Sequence, residues 1–372
     1  MLSNLQTLFF YNAIMLISFL LAKLGEKKNK KKPIVLAYII LTIISIIRYD
    51  IGNDYENYYD SITFLSGYDL SGVVPFLILE PSAIMLPILS VSFGFTSLTP
   101  EIVIGIYALL FFVMLYLVLE HYKTHSLGLL LLFILMILFQ SWDWVKQGVS
   151  VMIVLYSIKY IEKRNPFRFV IVVLFGSLWH ISAIFLLLLY PLRKLTFSSL
   201  TLTMFLFCIF FLTELGIFKF LYTAILQIVP LYNEVYENTK YSESEVDTTR
   251  TITFIILCVW YLWLLFVTPR DKSFYALILF VGAALYMISS GSLLLDRFSL
   301  YFTSIQLFYV PMLYRIYAKK KLYRCVFTLF FIFFYAWFCN DTTKEYGLRG
   351  SDKYETLFSD QYNRKYFRYR SN

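Results

Sequence analysis

The sequence predicts an all-α, polytopic integral membrane protein with roughly 11–13 transmembrane helices, short or re-entrant helices near 63–97 and 169–190, and external loops. Three observations predict it. Of the 372 residues, 59% are hydrophobic and 15% charged, with mean hydropathy +0.68, whereas a soluble domain carries about 25% charge. Apolar runs long enough to span a ~30 Å hydrocarbon core recur from one end to the other. Lys and Arg collect in short clusters between those runs, as they do where membrane helices take their orientation. The same distribution makes the lipid bilayer a partner and removes nucleic acid as one, despite a net charge of +9. Residues 1–338 read as a single transmembrane domain and 339–372 as a polar C-terminal tail.

The first span covers about Leu5 to Ala22, has no basic residue before it and no small-residue cleavage site, and reads as a retained helix rather than a signal peptide. Lys23, Lys27, Lys28, Lys30, Lys31 and Lys32 follow it and should face the cytosol. A second span, Pro33 to about Ile47, then delivers RYDIGNDYENYYDSI to the external face. Further cytoplasmic anchors are Lys123, Lys163, Arg164, Arg168, Arg193, Lys194, Arg270, Lys272, Arg315, Lys319, Lys320, Lys321 and Arg324. They alternate with spans near 102–120, 127–142, 148–161, 251–267, 273–291 and 298–314. Parity requires that 63–97, which holds Glu80-Pro81 and Pro87, return to its starting side. It also requires that 169–190 fold as two short helices meeting near His180. Non-helical backbone at that depth is tolerated where it lines a protein cavity. The segment 214–250 reads as an external loop whose apolar first half lies along the interface. A last span, about 325–338, leaves the tail outside.

Under this topology, polar groups with no anchoring task gather at the external face: Arg48, Asp50, Asp54, Glu80, Asp143, Lys146, Gln147, His180, Asp296 and Arg297. Charge near membrane depth is expensive unless paired or wetted, and therefore marks a functional cavity. The densest segment runs from Arg48 to Tyr59. It carries one guanidinium, the carboxylates of Asp50, Asp54 and Glu56, four tyrosines, and Gly52 to permit a turn. An interfacial cap with an aromatic belt would use the same residue types.

The segment resembles the signature of the EpsG family of polysaccharide polymerases, relatives of the Wzy O-antigen polymerases. That signature has an Arg, then Gly, one residue, Asp and Tyr, and a further Tyr, matched here by Arg48, Gly52, Asp54, Tyr55 and Tyr58. The pattern continues with a Glu opening a hydrophobic segment (Glu80) and a basic-Gln pair starting a span. The pair is usually Arg-Gln and here is Lys146-Gln147. A His inside a hydrophobic segment (His180) and an Arg with a Tyr near the last spans (Arg297 and Tyr301) complete it. The resemblance implies an inner-membrane glycosyltransferase with its active site facing the periplasm or cell exterior. It implies undecaprenyl-diphosphate-linked oligosaccharide as both donor and acceptor, and a chain-length regulator as a further partner.

The chemistry fits those residues. A departing diphosphate needs cations, and Arg matches phosphate oxygens best, so Arg48, Lys146 and Arg297 are the candidates. The acceptor hydroxyl needs a base, a role open to His180, Asp54 and Glu80. Gln147, Tyr55, Tyr58 and Tyr301 are expected to contact sugar or diphosphate. No cofactor and no metal are expected. His121 and His125 are spaced i, i+4 but lack the intervening Glu of a zinc protease helix, and Cys208, Cys258, Cys325 and Cys339 have no metal or redox spacing. P-loop and dinucleotide patterns are absent. A flippase for the same lipid-linked sugar remains an alternative, as does another membrane transferase, a ligase or acyltransferase.

Overall fold

A computed structural model of the protein describes residues 4–52, 54–66, 81–95, 98–218, 248–289, 293–343 and 354–358. Nearly all of them are helical, and the two strands are two residues each. Four helices are long and apolar enough to cross a membrane: Leu5–Lys28, Thr99–Tyr122, Arg270–Ile288 and Lys321–Thr343. His125–Ile134 with Ile137–Asp143 forms a fifth, broken crossing, and several apolar helices of 10–17 residues accompany them. The outer surfaces carry large apolar side chains, such as Leu5, Phe9, Leu16 and Leu20 on the first helix and Leu322, Leu329 and Ile332 on 321–343. In water such a surface would be an aggregation patch; here it is what a lipid-facing helix presents. The chain is a multi-pass, all-α membrane protein.

The chain divides into two compact units, residues 1–190 with 314–372, and 191–313. In the first, α1 (Asn4–Lys28) and α2 (Lys31–Ile47) form a hairpin joined at Asn29, whose φ of 49° makes the left-handed turn that Asn tolerates. α2 packs on Thr99–Tyr122, which packs on Val145–Glu162, which packs on Pro166–Ser177. Val145–Glu162 is buried on all sides along Val149–Leu155, as befits a helix apolar all round at the centre of its unit.

The two ends of this unit differ. At one end lie Lys27, Lys28, Lys31, Lys123, Lys163 and Arg168. There Glu120 receives Lys31 at 3.5 Å and His125 Nε2 at 2.9 Å. Tyr38 is hydrogen-bonded to His125 Nδ1 (2.9 Å), and Ser126 Oγ donates to Glu26 (2.5 Å). Arg315 donates to the carbonyl of Lys123. The other end begins where α2 stops and holds β1 (Arg48–Tyr49) and α3 (Tyr55–Ser66).

The stretch 169–190 folds back on itself. Pro166–Ser177, capped by Asn165 accepting from the Arg168 amide, packs against the 3₁₀ segment Ile181–Leu188, with His180 in the turn. Two expected single spans are each broken. The stretch near 127–142 bends by 63° between Ile134 and Ile137, where Met136 has φ 58°. The stretch near 298–314 is Leu293–Thr303 followed by Gln306–Tyr317. Asp296 and Arg297 therefore lie inside a helix rather than on a connecting loop. Gln306 explains the second break: its side chain accepts from Trp260 Nε1 at 2.6 Å and donates to the carbonyl of Thr303 at 3.0 Å, taking up backbone that a continuous helix would use.

In the second unit Ser199–Glu214, Thr248–Phe266 and Ser273–Ile288 pack on one another, and Leu293–Thr303 lies against Ser273–Ile288. Gly282 makes that last contact possible: a Cβ there would stand 2.7 Å from Phe302 Cβ and 2.9 Å from the Thr303 nitrogen. The external loop read at 214–250 lies largely outside the described residues, as do 344–353 and 359–372 of the tail.

Candidate functional site

α2 has no Gly or Pro at its C-terminus, and its last-turn carbonyls must find donors elsewhere. Arg48, just past the helix, folds back to donate from Nη1 to the Ser45 carbonyl at 2.6 Å and from Nη2 to the Trp142 carbonyl at 3.4 Å. Both acceptors sit in the last turns of helices, α2 and Ile137–Asp143, where a cation is favoured by the helix dipole. Trp142 completes the tie, donating from Nε1 to Ser45 Oγ at 2.8 Å, with its ring 5.5 Å from the guanidinium. Arg48 is 1% exposed. No carboxylate pairs with it among the described residues, and its Nε–H is buried without an acceptor. Burial draws its pKa down to about 10, against which the hydroxyls of Tyr55, Tyr354 and Tyr11 hold it up. It remains a cation at neutral pH. The cavity beside it, lined by Ser45, Tyr107, Ser141, Trp142 and Val145 among others, measures about 10 Å³. That is room for one water and too little for a diphosphate.

From Arg48 the chain turns sharply. Asp50 has φ 54° and Gly52 has φ 110°. A Cβ at Gly52 would stand 2.8 Å from the Trp142 carbonyl oxygen, so both the conformation and the close approach demand glycine. The turn closes with the Tyr55 amide donating to the Gly52 carbonyl at 3.0 Å, and Asp54 starts α3 by accepting at its carbonyl from the Tyr58 amide at 3.0 Å. The Asp54 amide donates to Asp143 Oδ1 at 3.1 Å, which fixes the Arg48–Tyr58 segment against the 143–147 junction.

That junction presents the basic-Gln pair in the first turn of Val145–Glu162. Lys146 is half-buried with Nζ 5.7 Å from the Tyr58 ring centre, and Gln147 is buried. Tyr55 lies 5.8 Å from Tyr49 and 6.3 Å from Tyr59. Burial raises the pKa of Tyr55 well above the usual phenol range, so it stays protonated. Arg48, Asp54, Tyr55, Tyr58, Lys146 and Gln147 thus form one neighbourhood.

His180 belongs to the same end of the unit. It precedes the 3₁₀ segment and is half-buried, with Nδ1 2.6 Å from Ser182 Oγ. Tyr107 connects it to the rest: this residue lines the Arg48 cavity and meets Trp179 edge-on at 5.7 Å. The helix Pro81–Ser92 docks on the turn through Ser82, whose amide donates to the Leu178 carbonyl at 3.0 Å. Glu80 lies outside the described residues. Arg297 and Tyr301 are in the second unit, one helical turn apart on Leu293–Thr303, with Tyr301 buried against Phe298.

Sequence reasoning missed three members. Glu101 is a buried carboxylate in the first turn of Thr99–Tyr122 and accepts from the Tyr59 hydroxyl at 3.0 Å. An acid opening an apolar helix reads as a complement to the helix dipole, and no local signal in the sequence marks its burial. Trp142 acts here through its backbone carbonyl and ring nitrogen, which no sequence pattern marks. Tyr354, which faces Arg48 from the far end of the chain, has no local signal at all.

Among the described residues, no three His, Cys, Asp or Glu side chains gather as a metal site. His121 and His125 are engaged with Glu162 and Glu120. No curated protein and no solved structure matches the chain. The model of the EpsG family matches residues 31–348, from the start of α2 past the last long helix, and the chain belongs to the EpsG family.

Proposed function

We propose that the protein is a membrane glycosyltransferase that joins polyprenyl-diphosphate-linked oligosaccharide repeat units at the outer face of the bacterial inner membrane. Membership of the EpsG family supports a membrane polymerase-type enzyme of polysaccharide biosynthesis. The observation that carries the finer reading is the seating of Asp54 on Asp143 beside Lys146 and Tyr58, at the end of the first unit opposite its Lys-rich end. With the Lys-rich end in the cytosol, that cluster opens outward.

In this reading an acceptor sugar hydroxyl attacks the anomeric carbon of the donor glycan. A C–O bond forms to that carbon as the bond to the diphosphate oxygen breaks, and the hydroxyl proton passes to a base. Lys146 meets the diphosphate as negative charge grows on it. Arg48 stands behind as a fixed cation, and Arg297 is a further phosphate-binding cation. Asp54, His180 and Glu80 compete for the base role, and tyrosines such as Tyr58 stack on sugar faces. Undecaprenyl diphosphate is the carrier expected, and the product is O-antigen, capsule or exopolysaccharide.

The test is reconstitution of the purified chain in liposomes with a defined polyprenyl-diphosphate oligosaccharide and no nucleotide sugar. A ladder of products spaced by one repeat unit is expected. Substrate recovered unextended, with the protein folded and inserted, would refute the reading.

A further inference from the structure

The carbonyls ending α2 are shared out among one neighbouring and two distant donors. Arg48 takes that of Ser45. The other two donors come from residues 354–358, more than 300 positions along the chain. The Tyr354 hydroxyl donates to the Ile44 carbonyl at 2.9 Å, and the Leu357 amide donates to the Ile47 carbonyl at 2.9 Å. Between them β2 (Glu355–Thr356) pairs antiparallel with β1, Arg48 opposite Thr356 and Tyr49 opposite Glu355. The Tyr354 ring is buried, 4.3 Å from Phe10, 5.9 Å from Tyr11 and 6.4 Å from Trp142. One short segment therefore caps the helix that presents Arg48, pairs with the backbone of Arg48 itself, and packs on the Trp whose carbonyl Arg48 grips.

We propose that residues 354–357 are a clasp belonging to the site, and that Tyr354 is a positioning residue: it fixes the α2 terminus and hence Arg48, without touching substrate. Two strand residues and two capping bonds would be marginal alone. The buried tyrosine anchors them among the three aromatic rings of Phe10, Tyr11 and Trp142. A misplacement of about 1 Å behind a reacting centre can lower a rate by about 10²-fold, so the clasp acts on turnover more than on substrate binding. This kinetic part rests on the transferase reading above; the pairing itself does not.

The experiment uses the full-length chain with its four native cysteines replaced. Tyr49→Cys with Glu355→Cys places two thiols directly opposite in an antiparallel pair, within disulfide reach. The expected result is rapid cross-linking on mild oxidation, with the cross-linked protein elongating a lipid-diphosphate oligosaccharide as well as the reduced one. Tyr354→Ala is expected to lower kcat about 10²-fold with KM nearly unchanged. Tyr354→Phe, which keeps the ring and loses only the bond to Ile44, should recover most of that loss. Thiols that fail to cross-link, a cross-linked protein that stops working, or Tyr354→Ala turning over like wild type would each overturn the clasp. A double-cysteine variant that cross-links while neither it nor the wild-type protein elongates anything would defeat the transferase reading and leave the clasp in place.

Discussion

Arg48 holds its charge where desolvation works against it. Beyond the end of α2, its pKa falls from the ordinary arginine range to about 10, which is about 3 kcal/mol set against the charged form. For a base with a lowered pKa the deficit is complete below about pH 10 and lifts as pH climbs above that towards the ordinary arginine value, where the unfolded chain also loses the proton. Its two charge-assisted bonds to carbonyls offset this by about 1.5–3 kcal/mol each. The opposing terms are of similar size, so Arg48→Met should move the Tm by only a few degrees at pH 7.5 while abolishing elongation. A collapse of the melt instead would show that the residue serves folding alone. Lys146 makes the opposite kind of prediction. The EpsG pattern usually has Arg at this position, and Lys146 is half-buried in a first helical turn with space enough to lean on Tyr58. Lys146→Arg should therefore keep or raise the elongation rate, whereas Lys146→Met should reduce it at least ~10²-fold; equal rates for the two variants would remove Lys146 from the diphosphate. At this scale the sequence was informative where chemistry is local. Arg48, Gly52, Asp54 and Tyr58 stand within eleven positions, and a glycine beside acids and aromatics signals a turn under constraint. What it could not disclose is that Arg48 faces inward to two helix ends, because the Trp142 carbonyl is a backbone atom that any residue would supply.

Helices explain why the cluster holds together. The break at Met136 turns Ile137–Asp143 so that its last residues reach α2 and the Gly52 turn, and no Pro or Gly marks it in the sequence. Hydropathy averages over such a bend, which is why 127–142 read as one span. The hairpin at 169–190 was legible for another reason: charge parity on either side of it demanded an even number of passes. The second unit offers a test of how far Arg297 depends on its helix. Gly282 lets Leu293–Thr303 lie directly on Ser273–Ile288. Gly282→Ala would press a methyl against the Thr303 backbone and should cost about 1–3 kcal/mol as an overpacked contact. Gly282→Leu should push the whole Arg297 helix away. The expected outcome is a lowered Tm for both, with elongation falling more steeply for Leu than for Ala. Activity surviving Gly282→Leu would mean that the position of Arg297 is irrelevant to the reaction.

For the molecule as a whole, orientation decides whether any of this chemistry can happen on an exported substrate. α2 places Lys31 beside Glu120 at one end and Arg48 at the other, and Thr99–Tyr122 runs between the same two ends in reverse, from Glu101 beside Tyr59 to Glu120. The Lys-rich loop before α2 and the loop after Thr99–Tyr122 therefore lie at one level and the Arg48 cluster at the other. Each Lys or Arg near a helix end biases that end towards the cytosol, and the first unit has no comparable cluster at its Arg48 end among the described residues. Asn57 and Lys123 are both exposed, one at each level, and make clean reporters. In a chain lacking its native cysteines, Asn57→Cys should react with a membrane-impermeant maleimide added to intact spheroplasts. Lys123→Cys should react only after the membrane is opened. The reverse pattern would put Lys146 and Asp54 in the cytosol, where nucleotide sugars are made. A polymerase working on exported lipid-linked units would then have no access to its substrate, even though every distance described above would be unchanged.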